Sequence, residues 1–178
     1  GQEKFIGRLD SLFVAESKIE GPLVSSDISG LIGQYAHGNE PSHHIVHLYN
    51  YVNQSWKAQQ LIDTILHTQY FNNPNGLSGN EDCGQMSAWY VLNAMGFYQV
   101  CPGSPIYSVG RPIFDKVTIN LPNGKVFEII ANNNSRTNKY IQSIRLDNIL
   151  LESPFFMHSD IMKGGKIIME MGNTPVKQ

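Results

Sequence analysis

A chain of 178 residues is long enough for one sizeable domain or two small ones. Its hydrophobic content of 41% stands well above that of disordered chains, and 8 Phe, 8 Tyr and 2 Trp are enough to build a core. A net charge of -2 without a Lys/Arg run disfavours a nucleic-acid partner, and no apolar run approaches the roughly 20 residues that cross a bilayer.

With only 16% charged residues, much of the surface must be Asn, Gln, Ser and Gly, a composition that suits secreted carbohydrate-active proteins. Gly1-Gln2-Glu3-Lys4 carries no export signal; a start at Gly suggests a processed chain. Cys83 and Cys101 make no disulfide framework and read as two small buried thiols or as a pair.

In chain order, Phe5, Ile6, Leu9, Leu12 and Phe13 recur at helical spacing and predict a first amphipathic helix. Gly21-Pro22 and Ser25-Ser26-Asp27 then punctuate a loop. Pro41 suits the first turn of a second helix, capped by Asn39 or Glu40 and running through Ile45, Leu48 and Tyr49 to about Val52. A third begins near Ser55, with Trp56, Leu61, Ile62, Ile65 and Leu66 on one face, and the stretch from Phe71 to Gly79 breaks it. A fourth, from about Gly84 to Met95, is apolar nearly all round and is expected to be buried.

Past Cys101-Pro102-Gly103 the period changes to two. Val117, Ile119 and Leu121 alternate with polar residues, and Pro122-Asn123-Gly124 turns into Val126–Ile130. Further strands are expected at Tyr140–Ile144 and Lys166–Met171, while Asn133-Asn134-Ser135 reads as a polar turn. The fold class is α+β: a helical part over 1–102, then a small antiparallel β-sandwich element over 103–178.

Two clusters carry the chemistry. Gly38-Asn39-Glu40-Pro41-Ser42-His43-His44 falls at a helix start, where free N–H groups favour a carboxylate. It serves as a plain cap or as a site, and two adjacent histidines followed by His47 exceed what a cap needs. His43 and His47 at a spacing of four resemble a zinc pair, but His44 stands where a zinc hydrolase has its Glu.

Gly79-Asn80-Glu81-Asp82-Cys83-Gly84-Gln85 opens the fourth helix. Carboxylates there are held ionised, as a general base or a hard-cation ligand must be, and the alternative is an N-cap within a solvated acidic turn. Cys83 reads as a gap-filler beside glycine.

Together these segments, with Gly33-Gln34-Tyr35-Ala36-His37, Leu48-Tyr49-Asn50-Tyr51, Met86-Ser87-Ala88-Trp89-Tyr90, Gly96-Phe97-Tyr98, Phe114-Asp115-Lys116 and Tyr140-Ile141-Gln142-Ser143, resemble glycoside hydrolase family 92 along nearly the whole chain. The resemblance implies a calcium-dependent, inverting exo-α-mannosidase of α-1,2-linkages, secreted or periplasmic, acting on a mannose-containing glycan. This chain would supply the terminal helices of an (α/α)₆ barrel and the closing β element, the partner being the missing N-terminal part of the parent.

By motif position, Asp82 matches the family's general base with Asn80 and Glu81 beside it. Asn39 and Glu40 match the Ca²⁺ site, and His43, His44 and Cys83 the sugar contacts. The family's catalytic acid lies in a Glu-Gly-Asn-Ala-Trp-like segment that this sequence does not contain. A chain without it is expected to be inactive alone. The rival reading is a non-catalytic carbohydrate-binding or assembly module of the same fold.

Overall fold

The structure, a computed structural model, describes residues 1–18, 21, 25 and 28–177. Of the predicted first loop, Pro22, Ser26 and Asp27 lie outside the described residues. Helix α1 (Gln2–Val14) buries Leu9 and Phe13, one stripe of the predicted amphipathic pattern. Two short strands, β1 (Leu31–Ile32) and β2 (Tyr35–Ala36), form a tight antiparallel pair that ends just before the first motif.

The predicted helix from Pro41 to Val52 is instead two 3₁₀ segments, Glu40–Ser42 and Ile45–Val52. The buried residues explain the difference. His43, Val46, Tyr49 and Val52 are spaced by three, as are His47 and Asn50, and only a three-residue turn stacks such a set on one side. Asn53, with φ 57°, closes the segment in the left-handed conformation.

Helices α2 (Ser55–Thr68) and α3 (Gln85–Met95) complete the helical half. Its core gathers Leu9, Phe13, Tyr35, Val46, Tyr49, Ile62, Ile65 and Trp89. Contrary to the expectation of all-round burial, α3 exposes Ser87, Ala88 and Val91, the last by 52%. Among the described residues nothing covers that face, because α2 and the first strand after α3 pack against the other side. Beside it, the exposed Phe71 and half-buried Tyr70 and Tyr90 line an open groove of about 430 Å³.

Strand β3 (Phe97–Tyr98) pairs with β4 (Ile106–Val109). Tyr98 packs into the helical core and Phe97 into the second core, so β3 joins the two. Strands β5 (Lys116–Asn120), β6 (Val126–Asn132), β7 (Tyr140–Leu146) and β8 (Ile149–Leu150) follow, then β9 (Phe155–Met157), α4 (His158–Lys163) and β10 (Gly165–Gly172). The order is β5-β6-β10-β7-β8 in a five-stranded sheet and β3-β4-β9 in a three-stranded one.

The β element is not purely antiparallel: β10 runs parallel to β6, pairing Ile167 with Ile129 and Met169 with Ala131. It enters between β6 and β7 because residues 133–139 bridge two strand spacings, about 10 Å, rather than one. Phe127, Ile129, Ile144, Phe156, Ile167 and Met169 fill the core beneath.

An ion cluster ties the halves together. Asp63 of α2 lies 2.9 Å from the buried Arg111 Nε, close but poorly aligned as a hydrogen bond, with Lys139 at 3.5 Å and Arg136 at 4.0 Å. Gln59 adds an acceptor for the Ile141 backbone N–H at 3.0 Å.

Candidate active site

The two motifs meet because two glycines let their backbones touch. A Cβ on Gly38 would fall 2.5 Å from the Ser78 carbonyl oxygen, and one on Gly79 (φ 94°) would fall 2.5 Å from that of Gly38. No other residue fits at either place without moving the loops apart.

From this contact the chain runs to Glu40 on one side and Asp82 on the other, and their carboxyl groups are in hydrogen-bond contact. That bond with Asp82, more than any other influence, holds the Glu40 carboxyl below the usual carboxylate range; the turn's own N–H group and His43 act in the same direction.

Asp82 stands on strained backbone. Asp82, Cys83 and Gly84 have φ of 49°, 56° and 90°, three consecutive left-handed residues, where non-glycine residues each pay roughly 1–2 kcal/mol. This turn projects Asp82 and Cys83 outward ahead of α3. Both cysteines are free and exposed, which corrects their reading as buried or paired thiols: Cys83 sits on the outside of that turn and Cys101 in the loop after β3.

Glu81 is committed elsewhere. It accepts from the Ser87 backbone N–H at 3.0 Å and the Ser87 hydroxyl at 2.9 Å, which ties the acidic turn to the first turn of α3. Asn80 is exposed. Asn39 precedes the 3₁₀ turn in extended conformation, its side chain making no cap bond.

His43 is 1% exposed, with both ring nitrogens engaged: Nε2 donates to the His37 carbonyl at 3.0 Å, and Nδ1 accepts from Gln85 Nε2 at 3.1 Å. No nitrogen is left for a sugar hydroxyl. His44, half-buried beside it, reaches the surface. His47 is likewise buried, between Ser108 at 3.2 Å and Asn93 at 2.9 Å. The zinc reading of His43 and His47 therefore fails at both residues, since their nitrogens are already bonded within the core.

Three residues build the floor: His37 and Gln85, which sequence reasoning gave no role, and Trp89, whose residue type and place allowed sugar stacking but whose ring is buried. His37 lies between the Tyr35 hydroxyl at 2.9 Å and the Tyr70 hydroxyl at 2.7 Å, its ring edge-on to Trp89. Burial, helped by His43, pushes its pKa down to about 3. Trp89 is 0% exposed and donates its indole N–H to the His43 carbonyl at 3.0 Å. Gln85 reaches both His43 and the Tyr98 hydroxyl. All three stand inside the recognised motifs; the roles of His37 and Gln85 had no separate sequence signal because burial depends on the fold.

A profile described as the Glycosyl hydrolase family 92 catalytic domain matches residues 1–173. The α-mannosidase BT3965 of Bacteroides thetaiotaomicron, solved with mannoimidazole, is 42% identical at a TM-score of 0.92, covering 99% of this chain and 23% of that one. The inverting mannosidase BT2199 of the same organism is 38% identical at 0.83, covering 98% of this chain and 25% of its own. An uncharacterized secreted glycosidase of Arthroderma benhamiae is 26% identical over 175 residues, 97% of this chain and 20% of that protein. The chain belongs to glycoside hydrolase family 92. It spans about a quarter or less of the length of these relatives.

Proposed function

We propose that this chain is the C-terminal portion of a secreted or periplasmic, calcium-dependent, inverting exo-α-mannosidase that cuts α-1,2-linkages at the end of a mannose-containing glycan. Residues 1–102 would close an (α/α)₆ barrel, and 103–178 would be its terminal β element. The observation that carries this reading is the contact between Glu40 and Asp82, brought together from separate motifs.

The donor set fits a hard dication. Glu40 offers carboxylate oxygens and Asn39 an amide oxygen, with the Asp82 carboxyl next to Glu40 left for proton transfer. Among the described residues no group of three His, Cys, Asp or Glu converges as a metal cluster, so water and sugar hydroxyls would complete the shell. Bound calcium would supply charge stabilisation and a grip on sugar hydroxyls.

In the reaction, Asp82 accepts a proton from the water that attacks the anomeric carbon, while an acid from elsewhere in the parent protonates the leaving oxygen. Inversion places those two groups roughly 6.5–9.5 Å apart. Glu81 positions Asp82 by pinning the turn to α3. Asn80, His44 and Cys83 lie where the sugar would be met.

In the complete enzyme, numbered as here, Asp82→Asn is expected to lower kcat by about 10²–10⁴-fold on an α-1,2-mannobiose. This chain alone is expected to be inactive until coexpressed with the upstream part. Calcium-dependent hydrolysis by the purified chain overturns the division of the site. Mannose binding without hydrolysis by the complete protein favours a non-catalytic module.

A further inference from the structure

His43 joins the two turns that carry the carboxyl pair. Its Nε2–H ends on the His37 carbonyl, three residues before Glu40, and its Nδ1 receives the Gln85 amide, three residues after Asp82. We infer that His43 is a positioning residue, a buried strut that keeps Glu40 and Asp82 in register and touches no sugar; this rests on the mannosidase reading above.

The polarity of the strut is fixed. A carbonyl can only accept, so the His37 end takes the ring proton and Nδ1 is left as a lone pair facing the Gln85 amide. Gln85 is braced by Tyr98 at 3.2 Å, and the His43 carbonyl is braced by Trp89. Gln85 N also donates to the Asp82 carbonyl at 3.2 Å, so the strut ends directly on the strained turn.

The Gly38–Gly79 contact sets how close the loops come. The His43–Gln85 link ties the two loops at a second point, beside the Trp89 indole bond to the His43 carbonyl. Small displacements of reacting groups are costly, about 10²-fold in rate for 1 Å.

The test is steady-state kinetics of the complete enzyme with Gln85→Met, His43→Ala and both together, using Asp82→Asn as a control. Gln85→Met keeps side-chain length while removing the donor, so it decides the question even if His43→Ala does not fold. The strut predicts that each single change lowers kcat about 10- to 100-fold with KM within threefold. The double variant should be no worse than His43→Ala, because both break one link. An unchanged kcat in Gln85→Met, or a raised KM with kcat intact in either variant, overturns the strut. Full activity in Asp82→Asn overturns the mannosidase reading of the carboxyl pair instead.

Discussion

At the scale of single residues, the site is made by what glycine permits. Gly38 and Gly79 are where the two motifs touch, and a methyl group on either would press into a carbonyl oxygen. Gly79→Ala is expected to destabilise the protein by about 2 kcal/mol, from left-handed strain together with the clash. Urea unfolding measures that loss, and a cost near zero would mean that the loops separate freely. The same residue scale explains Glu81. Three acidic or amide positions in a row look equivalent as letters, yet Glu81 folds back along the surface to Ser87 while Asp82 meets Glu40.

At the scale of elements, period carries most of the information and its exceptions are physical. The first helix, the third predicted helix and the alternating strands formed where their patterns placed them. The segment after Pro41 became 3₁₀ because its buried residues repeat every three. Strand β10 holds the five-stranded sheet between β6 and β7, with Ile167 fully buried against Ile129 and Leu146. Ile167→Ala removes three buried carbons from that centre and is expected to cost about 3 kcal/mol, read as a lower denaturation midpoint. A shift below about 1 kcal/mol would show that the sheet can collapse around the gap.

At the scale of the whole molecule, buried histidines make stability depend on acidity. His37 is held down to about 3 and His47 to about 4, in both cases chiefly by burial. Their folded values lie below the ordinary imidazole value of about 6.5, so the unfolded chain binds more protons between those limits. Stability is therefore complete above pH 6.5 and falls as pH drops toward 4, by about 2 kcal/mol per histidine at pH 5. Chemical denaturation at pH 7 and pH 5 checks this, and equal midpoints would refute burial of the neutral rings. The apolar face of α3 and the neighbouring groove belong to this scale too, since the chain spans only about a quarter of its structural relatives.

The sequence by itself determined the α+β class, the family, and the two motifs that supply Glu40 and Asp82, because periodicity and ordered motifs are local properties of the chain. Only the tertiary structure decided that β10 runs parallel to β6, that α3 leaves one side open, and that His43 faces inward. Each of those depends on which distant backbone arrives alongside: a strand slotting into a gap, a helix packed on one side, a carbonyl and an amide on either side of one ring. Spacing along a chain records none of these, whereas contact between loops 42 residues apart, His43 with Gln85, settles what the imidazole is able to do.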